Sequence, residues 1–147
     1  MEVSALISTP YPIQAHAAVA TVNGMPTEAT SRVFTDKVMI TLSQEGRLAQ
    51  WIHVPIRATP ASMAGLTANH PRHDMLPASH ITPTTLFGGG GSYREATGHL
   101  LASQIANYIS LKSPTDERTL VLGLGLKQLE ATPTGLLDVL ELVQQVI

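Results

Sequence analysis

Residues 119 to 127 read TLVLGLGLK, apolar at almost every position from Leu120 to Leu126. A strand with one face in water alternates apolar and polar residues. A strand covered on both faces has no polar side to show. This stretch is therefore expected to be a central strand, and the rest of the chain is expected to build a sheet around it. Gly123 and Gly125 stand two apart, on one face, which is expected to be approached closely by a helix.

Upstream lie shorter segments that supply the neighbours. AHAAVATV (15–22) is apolar and partly β-branched, and Asn23-Gly24 after it is a strong hairpin signal. MPTEATSRVF (25–34) follows, with Pro26 tolerable only near a strand start or an edge. Thr35-Asp36 turns the chain again. KVMITLSQ (37–44) sets Val38, Ile40 and Leu42 against Met39, Thr41 and Ser43, the period of a half-buried strand. Glu45-Gly46 makes a third turn. RLAQWIHVPI (47–56) then alternates Leu48, Gln50, Ile52 and Val54 against Ala49, Trp51 and His53. Short turns between four such strands predict a four-strand antiparallel meander.

Residues 1–14, with Pro10 and Pro12, read as a loose arm. Residues 57–83 hold four prolines and three histidines with little periodicity, and are expected to form a long flexible surface loop. ITPTTLF (81–87) is a fifth strand. LFGGGGSYREATGHLL (86–101) then runs through four glycines into a helix. Ser92 stands at the cap position with Glu95 three residues on, the spacing of a capping box. That helix ends near Ser113-Pro114. Thr132-Pro133 opens a last one. The order predicts an α/β (α+β) fold of six strands and two helices in one domain, residues 1–147.

The last helix is more apolar than one sheet requires. Leu136, Leu140, Val143 and Ile147 form a stripe, widened by Val139, Leu142 and Val146 on one side and Leu137 on the other. The apolar arc covers roughly two-thirds of the circumference, where a core-facing helix needs little more than 100°. Leu136, Val139, Leu140, Val143, Val146 and Ile147 are therefore expected to form a partner interface. Composition agrees. Charged residues are only 14% of the 147, against roughly 25% in an average protein, and hydrophobic residues are 44%. A short chain with so little charge leaves apolar surface for a partner.

Other function classes find little support. The net charge is -2 and the nine Lys and Arg are scattered, so neither nucleic acid nor an anionic membrane is an expected partner. There is no cysteine, hence no disulfide framework and no thiol catalysis. The amino terminus lacks a basic n-region and a continuous apolar h-region, and no apolar run reaches the length of a membrane span. The expected compartment is the cytoplasm, with the nucleus open to a chain of this size by diffusion.

The glycine run lacks the lysine of a Walker loop, since Gly91 is followed by Ser92 and Tyr93. It also lacks the third glycine of a dinucleotide fingerprint. It reads as a turn that carries no phosphate. The alternative is a small ligand-binding or regulatory domain using the loop Gly88–Gly91. His70, His73, His80 and Asp74 could in principle ligate zinc, but Pro71 and Pro77 break the helix that would align them. Ser92, His99 and Asp116 carry no nucleophile elbow. No catalytic, cofactor or metal residues are predicted, and the protein is expected not to be an enzyme.

Two short runs carry a resemblance. Gly24-Met25-Pro26-Thr27 follows the first strand, and Gln44-Glu45-Gly46-Arg47-Leu48 follows the third. This order resembles the proteasome assembly chaperone 3 family, as does the later succession of Leu86-Phe87-Gly88, a helix, a wholly apolar strand and a final helix. The resemblance spans about residues 15–56 and 82–147. The loop at 57–83 is longer than in compact members and suits a fungal-type version. The end of the chain, Gln145-Val146-Ile147, lacks the hydrophobic-Tyr-any tail with which another class of assembly chaperones enters α-ring pockets. The resemblance implies a six-stranded, mainly antiparallel sheet with two helices packed on it. It also implies a non-catalytic chaperone of core-particle assembly. Such a chain works as a dimer, typically a heterodimer with a chaperone 4 type partner of the same fold, and pairs with itself when isolated. The dimer binds proteasome α subunits in an early α-ring intermediate and uses no cofactor.

Overall fold

The computed structural model of the protein describes residues 13–56, 81–127 and 133–147. The elements are β1 (Gln14–Val22), β2 (Met25–Val33), β3 (Lys37–Ser43), β4 (Gln50–Pro55), β5 (Thr84–Phe87), α1 (Ser92–Lys112), β6 (Thr119–Gly125) and α2 (Pro133–Gln144). The six strands form one open sheet in the order β1-β2-β3-β6-β4-β5. The strand over 119–125 is central, as its composition predicts. Every pairing is antiparallel except β3 with β6. Most of the predicted arm, residues 1–12, and most of the predicted loop, 57–80, lie outside the described residues, and Gln14 at the end of the arm opens β1.

The predicted four-strand meander is corrected to three strands. Both tight turns form: Asn23 and Gly24 have φ of 50° and 77°, and Glu45 and Gly46 of 57° and 68°. Two successive positive φ values match the twist of a hairpin. After the Glu45-Gly46 turn, however, β3 and β4 do not pair. Only Gln44 and Arg47 make an isolated bridge. The end of β6 enters between the arms, with Gln44 N–H donating to the Gly125 carbonyl (3.1 Å) and Ala49 N–H to the Leu124 carbonyl (2.8 Å). The most apolar strand takes a central position with both its edges paired, and the hairpin splits around it.

Side-chain alternation sorts the sheet into two faces. The row Ala18, Ala29, Leu42, Leu124, Gln50 and the row His16, Ser31, Ile40, Leu122, Ile52, Thr85 point to the helices. Ile40, Leu42, Ile52 and Leu122 are fully buried there, and each such side chain stabilises by about 1.5–3 kcal/mol relative to exposure. From α1 come Leu101, Ala102, Ile105, Ala106 and Ile109, and from α2 Val139, Leu142 and Val143. Ser31 Oγ donates to the Val146 carbonyl, and Lys112 Nζ reaches the Ile147 carbonyl (2.9 Å), so the end of α2 is tied to the sheet and to α1.

Three local expectations change. The cap of α1 is Gly91, with φ of 104° and no side-chain cap bond. The Glu95 carboxylate instead accepts from Thr85 Oγ1 (3.0 Å), so the capping box gives way to a link from helix to strand. Gly123 is approached by the Trp51 ring and not by a helix: a Cβ there would lie 3.0 Å from the ring carbons. Gly125 is approached by backbone, with a Cβ lying 1.5 Å from the Arg47 carbonyl oxygen.

Candidate partner-binding surfaces

The six residues predicted as an interface on the last helix separate in the structure. Val139, Val143 and Val146 are buried in the chain's own core. Leu136, Leu140 and Ile147 are half-buried against it. The apolar arc is wide because α2 lies in a corner, touching both the sheet and α1. What it leaves for a partner is the Leu136–Leu140 edge together with Leu137, which is 63% exposed. This edge joins Leu100, Leu101 and Gln104 of α1 in a groove of about 360 Å³ between the helices. A smaller hollow beside it, about 170 Å³, includes Tyr108 and Leu111, and Leu111 is 73% exposed.

The second surface lies on the far side of the sheet. Both described helices occupy one face, so the other carries no described element. One row crosses all six strands there: Ala17, Thr30, Thr41, Gly123, Trp51 and Phe87. The next row is Ala15, Arg32, Met39, Val121, His53 and Thr84. Thr30 and Thr41 hydrogen-bond to each other through their hydroxyls, so each satisfies the other's polar group. Trp51 lies flat over Gly123, and Phe87 is 72% exposed. With few charges in these rows, the face is broad, low and largely apolar. Sequence reasoning assigned Trp51 and His53 to one side of a strand but did not single that side out, because the alternation alone does not say which face the helices take.

The glycine loop is explained by packing. Gly88 (φ 72°) sits where a Cβ would lie 1.9 Å from the Ala49 carbonyl oxygen. Gly90 and Gly91 also hold positive φ, of 58° and 104°, which side chains disfavour. Four glycines thus carry the chain from β5 past the β3–β4 connection into α1.

No catalytic group assembles from the residues considered. His99 Nε2 is 2.7 Å from Thr85 Oγ1 and 3.9 Å from the Glu95 carboxylate. Asp116 binds Arg118 through both carboxylate oxygens, at 2.9 and 2.6 Å. That pairing holds the Asp116 carboxyl below the usual carboxylate range. Ser92 opens α1 and Asp116 follows its far end, about 30 Å along a 21-residue helix. Among the described residues no cluster of three or more His, Asp or Glu is placed to hold a metal. None of their helices is long and apolar enough to cross a membrane. His70, His73, Asp74 and His80 lie outside the described residues.

No protein-family model matches the chain, and no curated protein does so. Among solved structures it is similar to a chain in the crystal structure of a chaperone complex for yeast 20S proteasome assembly. The TM-score is 0.60 at 9% sequence identity, over 88% of this chain and 96% of that one. At this identity the likeness is one of fold. The chain shares its fold with that chain of the complex.

Proposed function

We propose that the chain is a non-catalytic chaperone of proteasome core-particle assembly, of the chaperone 3 type. It pairs with a second small chaperone of the same fold and grips α subunits in an early α-ring intermediate. The observation that carries this reading is the pair of apolar surfaces on opposite sides of a fold shared, over nearly its whole length, with a chain from a proteasome assembly chaperone complex. Two partner classes call for two surfaces.

A partner of the same fold brings its own bare sheet face. Two such faces packed about 10 Å apart cover each other at once. The row through Thr41, Gly123 and Trp51 is therefore assigned to the chaperone partner. The groove of Leu100, Leu136, Leu137 and Leu140 is assigned to an α subunit.

Work of this kind needs no hydrolysis. A chaperone that binds an intermediate better than the finished particle shifts the population toward correct intermediates. It leaves when later subunits cover the surface it held. The test is affinity capture of the tagged chain from its own cells, read by mass spectrometry. Recovery of α-type proteasome subunits and one second small chaperone, without mature β subunits, is the expected result. Recovery of the chain as a homodimer alone would leave only the fold in common.

A further inference from the structure

The sheet face opposite the helices carries one acid and one base, and the strand register places them. The row through Thr30, Gly123 and Trp51 crosses its middle. On one side of it runs the row of Val19, Glu28 and Ser43, and on the other the row of Arg32, Met39 and Val121. Glu28 and Arg32 are the only Asp, Glu, Lys or Arg in these three rows, and both are exposed. Neither makes an ion pair among the described residues. Both stand on β2, with Thr30 midway between them. Their separation along the strand is about 13 Å, too far for the two side chains to meet.

An acid and a base set symmetrically about a neutral row make a self-complementary pattern. Consider two such faces packed together, with a two-fold axis lying between them along the Thr30 row. The axis reverses the strand direction and keeps each strand over its own copy. Glu28 then faces Arg32 of the second copy, and Arg32 faces Glu28 of the second copy, as a two-fold interface requires. An axis running along the strands would set each charge against an uncharged position or its own like. The area is sufficient as well. Six strands, three rows deep, cover on the order of 550 Å² per face, so that two faces clear the roughly 1,000 Å² of a specific interface. Val19, which is 38% exposed, and the Trp51 ring are covered by the same contact.

We propose that the bare sheet face docks a second copy of this chain in that antiparallel two-fold register, and that Glu28 and Arg32 fix the register. The inference rests on the reading of this face as the one that meets a chaperone of the same fold. It names the occupant in the absence of that partner and the two residues that align it. The apolar rows supply the contact area. The two charge pairs supply orientation, because any shifted or parallel docking leaves them unmatched.

The experiment is sedimentation velocity on the purified full chain, read together with the fluorescence of Trp51, its one tryptophan. The parent chain is expected to dimerise with rising concentration, and the Trp51 emission to move to the blue as it does. Glu28→Arg and Arg32→Glu each set like charges against each other twice, and each is expected to weaken self-association at least about tenfold. Both positions are exposed, and circular dichroism melts check that the fold is kept. An equimolar mixture of these two variants matches every cation with an anion and is expected to restore the dimer. The double variant Glu28→Arg/Arg32→Glu is expected to do the same by itself. A parent chain still monomeric at about 100 μM, where even weak complexes form, would overturn the proposal. So would single variants that dimerise like the parent, a mixture no better than its components, or a dimer that leaves the Trp51 emission unchanged. The assembly reading is judged separately, by capture of α subunits and a second chaperone from cells.

Discussion

Gln44 Nε2 donates to Thr27 Oγ1 at 2.9 Å, in the core, joining the two sequence runs on which the family resemblance rests. The Thr27 hydroxyl donates in turn to the Met25 carbonyl (3.1 Å), and Gln44 Oε1 accepts from the Lys127 N–H (2.8 Å). A Thr after the Asn23-Gly24 turn and a Gln before the Glu45-Gly46 turn are thus two halves of one buried polar link. It fastens β2, the β3–β4 turn and the segment after β6. Thr27→Val keeps the shape but strands the Gln44 donor, and is expected to cost about 1–3 kcal/mol. Thr27→Val combined with Gln44→Leu removes both groups and is expected to cost less than the sum of the single changes. Urea unfolding of the two single variants and the double variant measures the coupling.

Gly125 marks the point where β6 splits the hairpin, and the Arg47 carbonyl leaves it no room for a Cβ. Gly125→Ala should cost about 3 kcal/mol or more, because the obstacle is backbone and cannot turn aside. Gly46→Asn, at a turn with open space around it, should cost well under that, since Asn tolerates the left-handed region. Thermal unfolding of the two variants side by side checks the contrast.

The Asp116–Arg118 pair ties down the connection from α1 to β6. Its hydrogen bonds hold the Asp116 carboxyl below its ordinary value. A depressed carboxylate contributes stability above its unfolded pKa of about 3.9 and loses it as pH falls through the lower folded value. Asp116→Asn should therefore be less stable than the parent chain by about 1–2 kcal/mol near neutral pH. The gap should hold down to about pH 4 and narrow below it. A gap that widens in acid would contradict the assignment.

Exposure separates two leucine-rich positions that look alike on a helical wheel. Val143→Asp places a charge in the core of α2 and should unfold the chain. Leu137→Asp lies on the open rim of the inter-helix groove and should leave the melting temperature nearly unchanged. Circular dichroism melts decide this before any binding experiment is interpreted.

Strand identity was legible because each cue is local. Asn23-Gly24 and Glu45-Gly46 need only their own φ angles, and Leu120–Leu126 needs only its composition. The partners of β3 and β4 beyond the second hairpin were not, since the entry of β6 between them depends on a competition for the most buried position, which no short window shows. The last helix misled for the same reason. Its wide apolar arc signals two packing partners, and one of them is α1 of the same chain. The bare sheet face left only an ordinary alternation in the sequence.

The central claim is that opposite faces of one fold hold different partners in proteasome assembly. Affinity capture from the protein's own cells, run in parallel for the parent chain, Leu137→Asp and Trp51→Glu, tests it most directly. The account predicts that the parent chain brings down α-type proteasome subunits and a second small chaperone. Leu137→Asp should lose the α subunits and keep the chaperone, and Trp51→Glu should lose the chaperone. Loss of both partners from either folded variant, or retention of both by each, would contradict the two-surface account. Absence of proteasome subunits from the parent capture would contradict the function itself.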